Sequence, residues 1–100
     1  MGNTFTATIE RFEMQGGWHF VPVPETLSEP LGYLAAHFGF IPITANVGDT
    51  KWDTSMLPKG DGTYFIALPA KVRSKEKLSL GQEIDTSFEV RTREKKKELF

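Results

Sequence analysis

Cysteine is absent from the sequence, which excludes a disulfide framework, thiolate catalysis and every metal site built on sulfur. Long apolar stretches are lacking too. None approaches the roughly 20 residues that a helix needs to cross a bilayer, so neither a membrane span nor a membrane partner is expected. Met1-Gly2-Asn3-Thr4-Phe5 has no basic segment followed by an apolar run and does not read as a secretory signal, which makes the cytoplasm the expected compartment. Histidine is scarce: His19 and His37 are the two in the chain, and their spacing does not bring a pair of ligands to one helical face. No metal site and no cofactor are expected. Ser55, Ser74 and Ser87 stand outside any Gly-x-Ser-x-Gly turn, and neither a phosphate loop nor a dinucleotide fingerprint is present. Asp49 and Asp53 flank a hairpin and Asp61 sits in a turn that favours it for backbone reasons. No residue is assigned a catalytic role, and the chain is read as non-enzymatic.

Net charge is close to zero, at −1, but unevenly spread: residues 91–100 carry +3 and residues 1–90 carry −4. An acidic body disfavours a broad nucleic-acid surface, which needs clustered positive charge. Hydrophobic residues at 39% and charged residues at 25% of 100 residues suit one globular domain with one core.

Within that domain the dominant signal is alternation. Thr4 to Arg11 places Phe5, Ala7 and Ile9 on one face, and Gln15-Gly16-Gly17 then leads into the aromatic and β-branched run Trp18 to Val23, ended by Pro22 and Pro24. Glu29-Pro30 reads as the start of a short helix carrying Leu31, Leu34, Ala35 and Phe38 on one face until Gly39. Phe40 to Val47 alternates again, and Gly48-Asp49 is a hairpin signal before Thr50 to Leu57. Thr63 to Leu68 is apolar on both faces, Ala70 to Lys77 suits two helical turns, and Glu83 to Arg91 points Ile84, Thr86, Phe88 and Val90 inward. The expectation is mainly β, with six strands and two short helices.

The second half of this pattern repeats the first. Phe20-Val21-Pro22-Val23-Pro24 lies over Phe65-Ile66-Ala67-Leu68-Pro69 at an offset of 45, Phe5, Ala7 and Ile9 over Trp52, Thr54 and Met56 at 47, and Ile41, Ile43, Ala45 and Val47 over Ile84, Thr86, Phe88 and Val90 at 43. Two halves, about 4–47 and 50–91, neither with enough core to stand alone, predict a closed pseudo-two-fold barrel over residues 1–91. Such a chain closes its own barrel and is expected to be a monomer. Residues 92–100, with Lys95-Lys96-Lys97 and Leu99-Phe100, read as a charged, solvated tail.

Leu68-Pro69-Ala70-Lys71-Val72-Arg73, followed by Leu78-Ser79-Leu80-Gly81-Gln82-Glu83-Ile84, resembles the half-barrel signature of AbrB-type regulators and MazE-type antitoxins, in which two chains swap hairpins into one barrel. Residues 4–91 resemble more closely a bacterial family of unknown function with a double-split β-barrel fold. The likeness rests on Gly17-Trp18 with Val23-Pro24, Thr54-Ser55-Met56-Leu57-Pro58, Gly60-Asp61-Gly62-Thr63-Tyr64, and Arg73 with Leu80-Gly81. It implies the fold and a single-chain pseudo-dimer, but brings no activity or catalytic residues. Gln82 departs from the Leu-x-x-Gly-Asp turn of that pattern, which predicts weaker local capping.

Candidate binding residues follow from chemistry. Lys71, Arg73, Lys75 and Lys77 against Glu76 make residues 71–77 net +3, a cluster suited to an anion, although short surface helices are also commonly lysine-rich for solubility. Arg73 is the member expected to hold a fixed place, because guanidinium forms directional bonds. Trp18 and Tyr64 follow glycine-containing turns at equivalent places in the halves and are expected at any barrel mouth, whereas Trp52 is assigned to the core. His19 is expected to face out of its strand or take a hydrogen bond, and His37 to lie near a helix end. The function expected is a binding or interaction module with an unknown partner. The alternatives are a nucleic-acid-binding domain like the AbrB and MazE proteins, and a small-molecule or enzymatic site at the barrel mouth.

Overall fold

The computed structural model describes residues 3–14, 16–33 and 39–91. Predictions for Leu34, Ala35, His37, Phe38 and the tail 92–100 lie outside the described residues. The elements are β1 (Asn3–Thr8), β2 (Glu10–Arg11), β3 (His19–Val23), a short helix α1 (Glu25–Ser28) running into a 3₁₀ turn (Glu29–Leu31), β4 (Ile41–Val47), β5 (Thr50–Pro58), β6 (Tyr64–Ala67), α2 (Ala70–Glu76) and β7 (Glu83–Val90). All pairings are antiparallel and the order is β1-β7-β4-β5-β6-β3-β2. The result is a nearly closed barrel of seven strands.

The strand count corrects the expected six. Thr4 to Arg11 does not form one strand, because the chain changes partner at Ile9: Thr8 pairs with Glu83 of β7, while Glu10 pairs with Phe20 of β3. Ile9 stands at the handover, its N–H donating to the Gln82 carbonyl at 2.9 Å and its own carbonyl accepting from Gly81 N–H at 2.9 Å. The two ends of the sheet are thereby brought to the same segment. At Gln82, where weaker capping is expected, the side-chain oxygen accepts from Ser79 N–H at 2.9 Å, so a turn bond is present.

Alternation places the core. In β4, Ile41, Ile43, Ala45 and Val47 are buried and the residues between them half-buried. They join Phe5, Ile9, Val21, Val23, Met56, Ile66, Leu68, Ile84 and Phe88 in one cluster, against which Trp52 and Tyr64 pack. The apolar outer faces of β3 and β6 carry a second group. Phe12 stacks on Phe20 at 4.2 Å between ring centroids and meets Phe65 edge-on at 5.0 Å.

Both helices follow a strand-ending proline held extended, Pro24 at ψ 140° and Pro69 at ψ 154°. The first helix therefore begins at Glu25, earlier than the Glu29-Pro30 start predicted, and Pro30 falls in the 3₁₀ turn. The second ends at Glu76, with Lys77 in the left-handed conformation at φ 54°.

Candidate functional site

The turn before β3 and the corner after β6 meet at one end of the barrel. Leu68 N–H donates to the His19 carbonyl at 2.9 Å, extending the β3–β6 ladder to Pro69, where the chain turns into α2. Residues 16–19, 67–70 and Arg73 line a cleft of about 390 Å³ there. Gly17 is required at its wall, because a Cβ at that position would lie 2.0 Å from the Phe12 carbonyl oxygen. Trp18 is 56% exposed above this wall.

Arg73 is held in place. Its Nε–H donates to the Leu68 carbonyl at 3.0 Å, bracing the Pro69 corner while the residue lines the cleft. Arg11, paired with His19 across the β2–β3 ladder, does not line the cleft but donates from Nε to the carbonyl of Gly17, which does, at 3.4 Å. Burial lowers the His19 pKa from its usual value, and the positive charges of Arg73 and Arg11 lower it further. The imidazole therefore gives up its proton more readily than a free histidine.

The five residues singled out from sequence divide. Trp18 and Arg73 come together in the cleft. Lys71 and Lys75, one helical turn apart on α2, are both exposed and do not line it. Tyr64 is not there either. It pairs with Val23 at the far end of the β3–β6 ladder, about 17 Å from Trp18 at the usual rise per residue, and lines a separate pocket of about 290 Å³ with Glu25, Ser28 and Glu29. A single mouth holding both aromatics is not formed. Sequence reasoning missed Arg11 and the position of His19. The Arg11–His19 pairing was available from the hairpin, but the approach to Arg73 depends on the corner at Pro69.

A third pocket, of about 270 Å³, lies beside the cleft and is lined by Phe12, Met14, Gly16, Trp18 and Phe65. Among the described residues no group of three His, Cys, Asp or Glu side chains is placed to hold a metal ion, and no helix is long and apolar enough to cross a membrane.

No curated protein matches the chain. Residues 5–88 match a family model described as Domain of unknown function (DUF1905), a span that runs from within β1 to within β7. The chain belongs to that family, DUF1905, a domain of unknown function.

Proposed function

We propose that this barrel is a non-enzymatic binding module whose binding surface is the cleft between residues 16–19 and α2. The observation that carries the reading is the convergence of Trp18, His19 and Arg73, from segments about fifty residues apart, on one concave site. An exposed indole beside a fixed guanidinium offers stacking and a directional charge, and the described residues that line the cleft include no Ser, Thr, Cys or Lys to act as a nucleophile.

The sheet register supports a pseudo-two-fold origin of this site. Val21 pairs with Ile66 and Ala45 with Phe88, and each pair joins residues that the internal repeat makes equivalent. Residues lying on a two-fold axis must pair with their own equivalents, so both pairings favour a double-split barrel with halves 4–47 and 50–91, akin to the swapped-hairpin barrels of AbrB and MazE proteins. At the offset of 45, Gly17 corresponds to Gly62, Glu25 to Ala70 and Ser28 to Arg73. The cleft and the Tyr64 pocket are then counterparts, one basic with Arg73 and the other acidic with Glu25 and Glu29.

A thermal-shift screen against small metabolites tests the reading. Compounds that raise the melting temperature with concentration, and no longer do so in Trp18→Ala, are expected. Turnover of such a compound that is lost in Arg73→Lys at unchanged circular dichroism would overturn the non-enzymatic assignment.

One observation favours a nucleic-acid reading as second. The Glu76 carboxylate accepts from Thr50 Oγ1–H and Asp49 N–H and is turned to the β4–β5 hairpin, leaving Lys71 and Lys75 on the exposed face of α2. Low-salt titration with duplex DNA decides it, because the phosphate contribution is largest there. Salt-sensitive binding lost in Lys71→Glu/Lys75→Glu would establish that reading, and no binding ends it.

A further inference from the structure

Resting on the reading of the cleft as the binding surface, we propose that the cleft and the apolar pocket beside it form one bipartite site for a small carboxylate with an aromatic or aliphatic body. Trp18 and Gly16 line both cavities, so the indole is a shared wall rather than a partition between unrelated hollows. On the apolar side the floor is already ordered. Phe12 N–H donates to the Trp18 carbonyl at 3.1 Å, continuing the β2–β3 ladder, and the Phe12 ring packs in a three-ring cluster with Phe20 and Phe65. Met14 and Trp18 remain 64% and 56% exposed above this floor, apolar surface that a ligand body would withdraw from water.

On the other side stand His19 and Arg73 in the cleft, with Arg11 bonded to the carbonyl of the cleft residue Gly17. Arg73 spends its Nε–H on the Leu68 carbonyl, which leaves its terminal nitrogens to meet a carboxylate, and Arg11 makes a longer, exposed bond from Nε to the Gly17 carbonyl. The charged groups acting on His19 from the packed elements are Arg11 on β2 and Arg73 on α2, both positive. An anion arriving among them offsets this repulsion and favours protonation of the imidazole. Binding therefore takes up a proton, and affinity rises as pH falls into the range where the His19 imidazole titrates.

A nucleic acid fits this combination less well. Its charges run along its length and call for a stripe of cations, whereas here the cations end at an apolar pocket and residues 1–90 carry −4.

The test titrates the ¹⁵N-labelled chain with 3-phenylpropionate, octanoate, 3-phenylpropan-1-ol, acetate and inorganic phosphate, following the Trp18 indole N–H and the Arg73 Nε–H signals. Both long carboxylates are expected to saturate and to move both signals, with the alcohol and acetate at least tenfold weaker. Arg73→Gln should weaken the carboxylates at least tenfold. Arg11→Gln, at an exposed position, should weaken them without risk to the Pro69 corner, and His19→Gln should flatten the pH dependence. Equal binding of alcohol and acid, indifferent to both arginine substitutions, would overturn the anionic end. Phosphate binding as tightly as the long acids would overturn the apolar end. In either case ligands still shift Trp18 and the cleft remains the binding surface. Saturation by none of the five overturns this proposal, and the broader reading then stands or falls on the thermal-shift screen.

Discussion

Thr86 lies 1% exposed in β7, and its Oγ1 has no hydrogen-bond partner among the described residues. A buried hydroxyl without a partner costs about 1–3 kcal/mol of desolvation, with no compensating bond. Valine has the same branched shape and suits a strand equally well. Around it in the core lie Ile84 and Phe88 of the same strand face, both buried and apolar. Thr86→Val is therefore expected to stabilise the fold by about 1 kcal/mol, read in urea denaturation as a higher midpoint at unchanged slope. Destabilisation would mean that the hydroxyl has a partner after all. The neighbouring logic at Gly17 runs the other way, because there the added atom would meet a backbone oxygen that cannot move aside.

At the scale of elements, α2 is fastened to the barrel by its last residue. Glu76 accepts from Thr50 Oγ1–H and, at 3.3 Å, from Asp49 N–H. Gly48, at φ +60°, permits the approach, since a Cβ there would lie 2.2 Å from Glu76 Oε1. Glu76→Ala is expected to cost about 1–2 kcal/mol, and to speed hydrogen exchange at Asp49 and Thr50 before the rest of the sheet. Unchanged exchange at those two amides would contradict the fastening role. The hairpin itself was legible in the sequence, because Ile41 to Val47 alternates and Gly48-Asp49 marks the turn, but its bond to Glu76 joins residues 26 apart through a helix whose orientation no local pattern carries. The same limit explains Ile9. Alternation from Thr4 to Arg11 reports which face each residue takes, not which strand it pairs with, so it runs unbroken through the point where the partner changes. Pro24 was legible as a strand end. Its second role, opening α1 one residue later, was masked by the stronger Glu29-Pro30 signal. In the site, Arg73 was legible as a residue needing a fixed partner, but the partner proved to be the Leu68 carbonyl.

The pairing scheme makes the whole molecule an interlocked object. A cut between Gly48 and Asp49 severs the tight turn between β4 and β5 and sets a boundary near the middle of the chain. Four ladders cross that boundary, β1–β7, β3–β6, β4–β5 and β4–β7, whereas only β2–β3 and β5–β6 lie within one side. The crossing ladders are the long ones, with seven residue pairs between β4 and β5 against two between β2 and β3. A fragment of residues 1–48 keeps β4 with neither of its neighbours, and a fragment of residues 49–100 keeps β7 with neither of its own. Two-stranded remnants are at best marginally stable in water, and the common core is divided between the pieces. Each fragment alone is expected to give no cooperative thermal transition. An equimolar mixture is expected to recover the sheet signal in far-ultraviolet circular dichroism, and its melting temperature should rise with concentration, because reassembly is then bimolecular. A cooperative transition in either fragment by itself would mean that one half holds a core of its own, and the closure of the barrel would then be docking between two folded units rather than the step that creates the fold.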